Sequence, residues 1–163
     1  MSTETGESAI VVLGLGNLLY GDEGFGIAAL AALQQALGEL PGVDFVDGGV
    51  LGLGLLPLVE SCTHLLALDA IEAGAAPGTV FELDGADLPL FRPPKLSEHQ
   101  VGFQEVLALA QFREHLPAHF RVLAVQPGGL EEGIALSPAV SAALGEVVRS
   151  GRKILEEWGT WND

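Results

Sequence analysis

The chain has 163 residues, 48% of them apolar, and sets seven Lys and Arg against 22 Asp and Glu for a formal net charge of −15. That size suits one domain burying roughly two-thirds of its unfolded surface without help from a disulfide or a structural metal, and the apolar content argues against disorder. A surface so acidic repels nucleic-acid phosphate and anionic lipid, and apolar runs such as Leu51–Val59 fall short of the ~20 residues that a membrane span takes.

Cys62 is the single cysteine, so no internal disulfide can form, which points to a reducing compartment. The first nine residues are polar and acidic, without the basic start and apolar run of an export signal. The expectation is a cytoplasmic protein.

Residues 1–8 read as a disordered tail ahead of a single domain, 9–163. Ala9–Leu13 is a buried strand feeding Gly14-Leu15-Gly16-Asn17. Gly24–Leu37 reads as a helix with Ile27, Leu30, Ala31 and Leu37 on its apolar face. Val43–Val46 is a second strand, closed by Asp47-Gly48-Gly49, and Leu51–Glu60 a second helix in spite of Gly52, Gly54 and Pro57. Leu65–Leu68 is a third strand closed by Asp69, and Thr79–Leu83 a fourth after the turn signal Pro77-Gly78. The proline-rich connection Pro89–Lys95 leads to a third helix, Gly102–Phe112. Val122–Val125 is a fifth strand stopped by Pro127-Gly128-Gly129, and Ser137–Trp158 a long final helix with Ser137 as N-cap and Pro138 in the first position. Strands alternating with helices in this way imply an α/β fold, an open and mostly parallel sheet with helices on both faces.

Ligands of such sheets bind beyond the carboxyl ends of the strands. There the sequence sets Asp22 and Glu23 after the first strand, Asp47 after the second, and Asp69 and Glu72 after the third. Acidic groups facing one crevice repel each other unless protons or a cation neutralise them, so an acid–base or cation site is expected. Nucleotide readings fail. Gly14-Leu15-Gly16 starts like a dinucleotide fingerprint, but its third glycine position is Leu19, so the close helix approach and the phosphate seat are missing. No Gly-Lys-Ser/Thr follows a strand, and no Gly-x-Ser-x-Gly elbow presents a nucleophilic serine. Cys62 lies between a helix and a strand without a glycine-rich turn and reads as a buried thiol. His64 reads as a packing residue, and His115 and His119, either side of Pro117, as solvated loop residues. His99 stands where a loop enters the third helix, and imidazole is a common ligand of nickel and zinc.

Four segments carry a resemblance. Gly16-Asn17-Leu18-Leu19-Tyr20-Gly21-Asp22-Glu23-Gly24-Phe25-Gly26, Asp47-Gly48-Gly49, Leu68-Asp69-Ala70 and Ser97-Glu98-His99-Gln100-Val101-Gly102 resemble, in order and spacing, the motifs of the hydrogenase maturation proteases. Pro77-Gly78-Thr79-Val80 and Gln126-Pro127 match further features, and Phe103–Ala110 resembles the branch that serves membrane-bound uptake hydrogenases. Leu130–Leu136 departs from that branch, being shorter and more apolar than its acidic, tyrosine-containing loop. The resemblance implies a three-layer α/β/α domain around a twisted five-stranded sheet, its fourth strand antiparallel, in agreement with the short link from Asp69 to Thr79.

It also implies an endopeptidase that removes the C-terminal extension of the large-subunit precursor of a nickel-iron hydrogenase, working as a monomer, without nucleic acid or membrane insertion. Glu23, Asp69 and His99 take the places of the metal-contacting residues, and the metal is nickel carried in by the substrate. Two carboxylates and an imidazole form a weak, open site that would also accept zinc or cadmium. Two mechanisms stay open: metal assistance, or Glu23 and Asp69 acting on water as acid and base, as in aspartic peptidases. Asp22 reads as a cap of the helix that begins near Gly24. Rival readings are a non-catalytic, nickel-dependent checkpoint that binds the immature subunit, and a small-molecule α/β binding domain resting on fold analogy alone.

Overall fold

A computed structural model describes residues 9–17, 19, 21–49, 52–85, 87, 98–128 and 135–159, with backbone alone at 52, 53, 98–102 and 104. The expected tail 1–8, the connection Pro89–Lys95 and most of the loop Leu130–Leu136 lie outside the described residues.

Five strands, β1 (Ile10–Leu15), β2 (Val43–Gly49), β3 (His64–Ala70), β4 (Val80–Asp84) and β5 (His119–Val125), form one sheet in the order β2-β1-β3-β5-β4. β1 runs parallel to β2 and β3, and β3 parallel to β5, while β4 is antiparallel to β5. The nine residues from Ile71 to Thr79 cannot hold a helical crossover, so β4 turns back beside β5. Every residue of β1 is buried, as expected of a central parallel strand covered on both faces.

The two faces carry separate cores. On one, Ile10, Val12, Leu66, Leu68, Leu123 and Val125 meet α1 (Phe25–Leu37) and α5 (Leu144–Glu157) through Phe25, Ala29, Leu33, Val147, Ile154 and Leu155. On the other, Val11, Leu13, Leu65, Ala67, Val122 and Ala124 meet Leu55, α2 (Leu56–Ser61) and α3 (Glu98–Phe112) through Val59, Phe103, Val106, Leu107 and Ala110. The result is the three-layer α/β/α domain. No helix among the described residues is long and apolar enough to cross a membrane.

Several boundaries differ from the sequence reading. The second helical segment splits into a 3₁₀ turn, Gly52–Leu55, and the short α2, because two glycines precede Pro57, which fits only a first turn. The long final helix is two, α4 (Pro138–Ala142) and α5, with the break at Ala143, whose N–H tightens onto the Val140 carbonyl at 3.0 Å. Ser137 makes no capping bond to α4, since its hydroxyl points elsewhere.

His119 is not a loop residue. It opens β5 in register with His64, and the two rings stack with centroids 4.3 Å apart while Trp158 meets His64 edge-on at 4.9 Å. Burial and the neighbouring His119 lower the pKa of His64 from 6.5. A depressed histidine costs stability as pH falls through its unfolded value, because the unfolded chain takes up the proton first. His64→Ala is expected to lower stability near neutral pH by about 1 kcal/mol, the worth of a lost ring pair, to weaken the acid-side loss, and to spare activity. Melting curves between pH 5 and 8 check this.

Candidate active site

The chain leaves β1 for β2 on one side, whereas β3 lies on the other side of β1. This reversal falls at the carboxyl ends of β1 and β3, the kind of place where open α/β sheets bind ligands. A 3₁₀ turn, Gly21–Gly24, fills the step between β1 and α1, and it carries Glu23. The Glu23 carbonyl accepts the Asn17 N–H at 3.1 Å, which closes the loop back onto β1.

Asp69 stands one residue from the end of β3, beside Ala124 of β5. Neither carboxylate lies open on a cleft surface: Glu23 is 0% and Asp69 7% exposed. Burial pushes the Asp69 carboxyl up to about 7, with the Ala70 N–H, which Asp69 Oδ1 accepts at 2.8 Å, pulling it down and the charge of Glu23 pushing it up. Two acids this close in a poorly solvated place resist joint ionisation. Near neutral pH Asp69 therefore both holds and releases a proton, as a general acid–base group must.

The third helix starts at Glu98, earlier than the Gly102 read from its apolar spacing, so His99 lies in the first turn of α3; its side chain is outside the described residues. Among the described residues no three His, Cys, Asp or Glu side chains form a metal-ligating group. Asp47 is exposed and lies within β2, which runs on through Gly49 rather than stopping at Val46. Glu72 serves its own loop, accepting the Gly74 N–H at 3.0 Å. Cys62 is buried, and burial lifts its thiol to about 11, which leaves it inert as a nucleophile.

Two residues near the pair have tasks the sequence did not reveal. Asp22 does not cap α1, whose N-cap Gly24 has no side-chain cap bond. Its carboxylate instead accepts from Gly128 N (2.7 Å), Ser137 N (2.7 Å) and Ser137 Oγ (2.8 Å), more than a hundred residues away in the chain. Gln126, 3% exposed, accepts from the N–H groups of Ala73 (2.8 Å) and Ala75 (3.1 Å) and donates to Glu72 Oε1 and the Pro127 carbonyl. It thereby fixes the loop that leaves Asp69. Its only sequence signal was the Gln-Pro pair.

The chain is similar to known proteins over most of its length. The HycI model, described as hydrogenase maturation protease, matches residues 27–154, a stretch that starts after Glu23 and takes in Asp69 and His99. The hydrogenase expression/formation protein HoxM of Cupriavidus necator is 40% identical over 152 residues, 92% of this chain and 75% of the relative. The hydrogenase 2 maturation protease of Escherichia coli is 34% identical, with 92% of each chain covered. The solved hydrogenase maturating endopeptidase HybD of E. coli superposes with a TM-score of 0.85 at 36% identity, over 92% of this chain and 93% of that one. The chain belongs to the hydrogenase maturation proteases, a family of peptide hydrolases.

Proposed function

We propose that the enzyme removes the C-terminal extension of a nickel-iron hydrogenase large-subunit precursor, and that it acts only on precursor already carrying nickel. The observation that carries the reading is the buried Glu23–Asp69 pair at the switch point, with Asp69 raised to about 7. In the proposed reaction a carboxylate of the pair takes a proton from the water that attacks the scissile carbonyl and hands it on to the leaving amine. Nickel belongs to the substrate. Glu23, Asp69 and His99 offer two hard oxygens and one imidazole, a donor set too weak to retain a metal against the cell's other ligands but fit to complete the shell of a nickel ion held elsewhere. Contact through that ion brings the scissile bond to the carboxylates, so proximity becomes conditional on the metal. Excision of the tail then lets the nickel withdraw and the product leave.

The test compares nickel-loaded and metal-free precursor under equal enzyme, following C-terminal trimming by mass spectrometry. Cleavage of the loaded form alone, unrestored by free nickel added to the metal-free form, is the expected result; equal cleavage of both rules the gating out. His99→Ala is expected to lower cleavage of the loaded form by about 100-fold through lost proximity.

A further inference from the structure

Asp22 directly precedes Glu23 in the 3₁₀ turn, is 1% exposed, and meets three donors with two oxygens. Gly128 and Ser137 lie at the end of β5 and the start of α4, so the turn is held from that side by Asp22 and from the β1 side by the Asn17 bond to the Glu23 carbonyl. Gly128 stands two residues beyond Gln126, whose amide holds the loop leaving Asp69. The short stretch Gln126–Gly128 thus touches the mounts of both carboxylates. It has little slack: a Cβ on Gly128 would approach Ser137 Oγ to 3.2 Å and Asp22 Oδ2 to 3.3 Å. We propose that Asp22 is a positioning residue, which by binding Gly128 and Ser137 sets the turn that carries Glu23 at the separation from Asp69 that hydrolysis requires.

An amide cannot replace this carboxylate. Asparagine offers one acceptor oxygen, and in either orientation its NH₂ would face a backbone N–H, that of Ser137 or that of Gly128. The inference rests on Glu23 and Asp69 as the reacting pair. With nickel-loaded precursor as substrate, Asp22→Asn is expected to lower kcat about 100-fold, the scale of a small misplacement of reacting groups, with KM within about threefold of wild type. Ser137→Ala leaves both backbone bonds in place and is expected to lower kcat about tenfold, the worth of one hydrogen bond to a carboxylate. This milder variant decides the matter if Asp22→Asn fails to fold. The double variant is expected to be no slower than Asp22→Asn alone, since both changes act on one contact. Wild-type kcat in Ser137→Ala or Asp22→Asn, with only the melting temperature lowered, overturns the proposal, as does strict additivity in the double variant. Glu23→Gln separates the two levels of the argument. Wild-type cleavage by that variant removes the reacting pair itself, whereas an inactive Glu23→Gln beside fully active Ser137→Ala and Asp22→Asn removes only the positioning role.

Discussion

Asp69→Asn is expected to abolish cleavage and to make the protein more stable. The folded carboxyl titrates at about 7 against an ordinary value of 3.8, because burial and the Glu23 charge outweigh the one N–H from Ala70. Between those two values the folded protein holds a proton that the unfolded chain has already released. The contribution of this group to stability is therefore complete below about 3.8, declines as pH rises toward 7, and stays at its lowest above that. A difference of about three units corresponds to an upper bound of about 4 kcal/mol. Asparagine keeps the shape and cannot ionise, so at pH 8 the variant is expected to melt several degrees higher than wild type, and near pH 4 the two are expected to coincide. Loss of an acid–base group is expected to slow cleavage by at least about 100-fold. Paired melting curves at pH 4 and 8 with a cleavage assay check both halves. Wild-type processing removes Asp69 from the chemistry, and a variant less stable than wild type at pH 8 removes the strained carboxyl. The combination is the usual mark of a residue kept for function at a cost in stability.

Alternation of strands and helices pointed to the carboxyl ends of the strands, where Asp22, Glu23, Asp47, Asp69 and Glu72 all stood as candidates, and it was the resemblance that singled out Glu23 and Asp69. The antiparallel β4 was implied by the resemblance, and the link too short for a crossover agreed with it. What was lost depended on side chains choosing distant partners. Ser137 ahead of Pro138 has the pattern of a cap, yet its hydroxyl goes to Asp22. Asp22 ahead of a helix has the same pattern and goes to Gly128 and Ser137. His119 is exposed as read, but it was placed in a loop because it follows Pro117, whereas pairing of β5 with β3 makes it a strand residue and sets its ring on His64. The start of α3 was missed because Glu98 to Val101 lacks the apolar repeat that marks a covered helix face, and the periodicity appears only from Phe103, which is buried. The misses at Ser137, Asp22 and His119 are cases of tertiary contact overriding a local pattern.

Gly26→Ala is expected to be among the most damaging of the small substitutions. The sequence reading held that a leucine at the third glycine position of the fingerprint denied the helix a close approach to the sheet. The approach is close all the same, and Gly26 supplies it. A Cβ at Gly26, the second residue of α1, would overlap the carbonyl oxygens of Leu15 and Leu68 and come within 2.8 Å of Leu15 N. On the other side of the contact, a Cβ at Gly14 would lie 2.7 Å from the Gly26 carbonyl oxygen and 2.9 Å from Leu30 Cβ. These obstacles are mostly backbone of the two central strands, tied into the sheet on both edges, and they cannot turn aside as a side chain does. An added methyl must push α1 away from β1 and β3, with the turn that carries Glu23 directly ahead of it. The expected cost is about 3 kcal/mol or more, the upper range for overpacking, with cleavage lost in whatever fraction folds. Gly38→Ala is the control. It sits just past the end of α1 with φ of 70° and ψ of −161°, a region kept almost wholly to glycine, and nothing lies within 4 Å of its Cβ position, so it suffers backbone strain alone, about 1–3 kcal/mol. Urea denaturation of the two variants separates the causes. A Gly26→Ala midpoint at or above that of wild type would mean that the crossing of α1 over β1 and β3 has room for a methyl group.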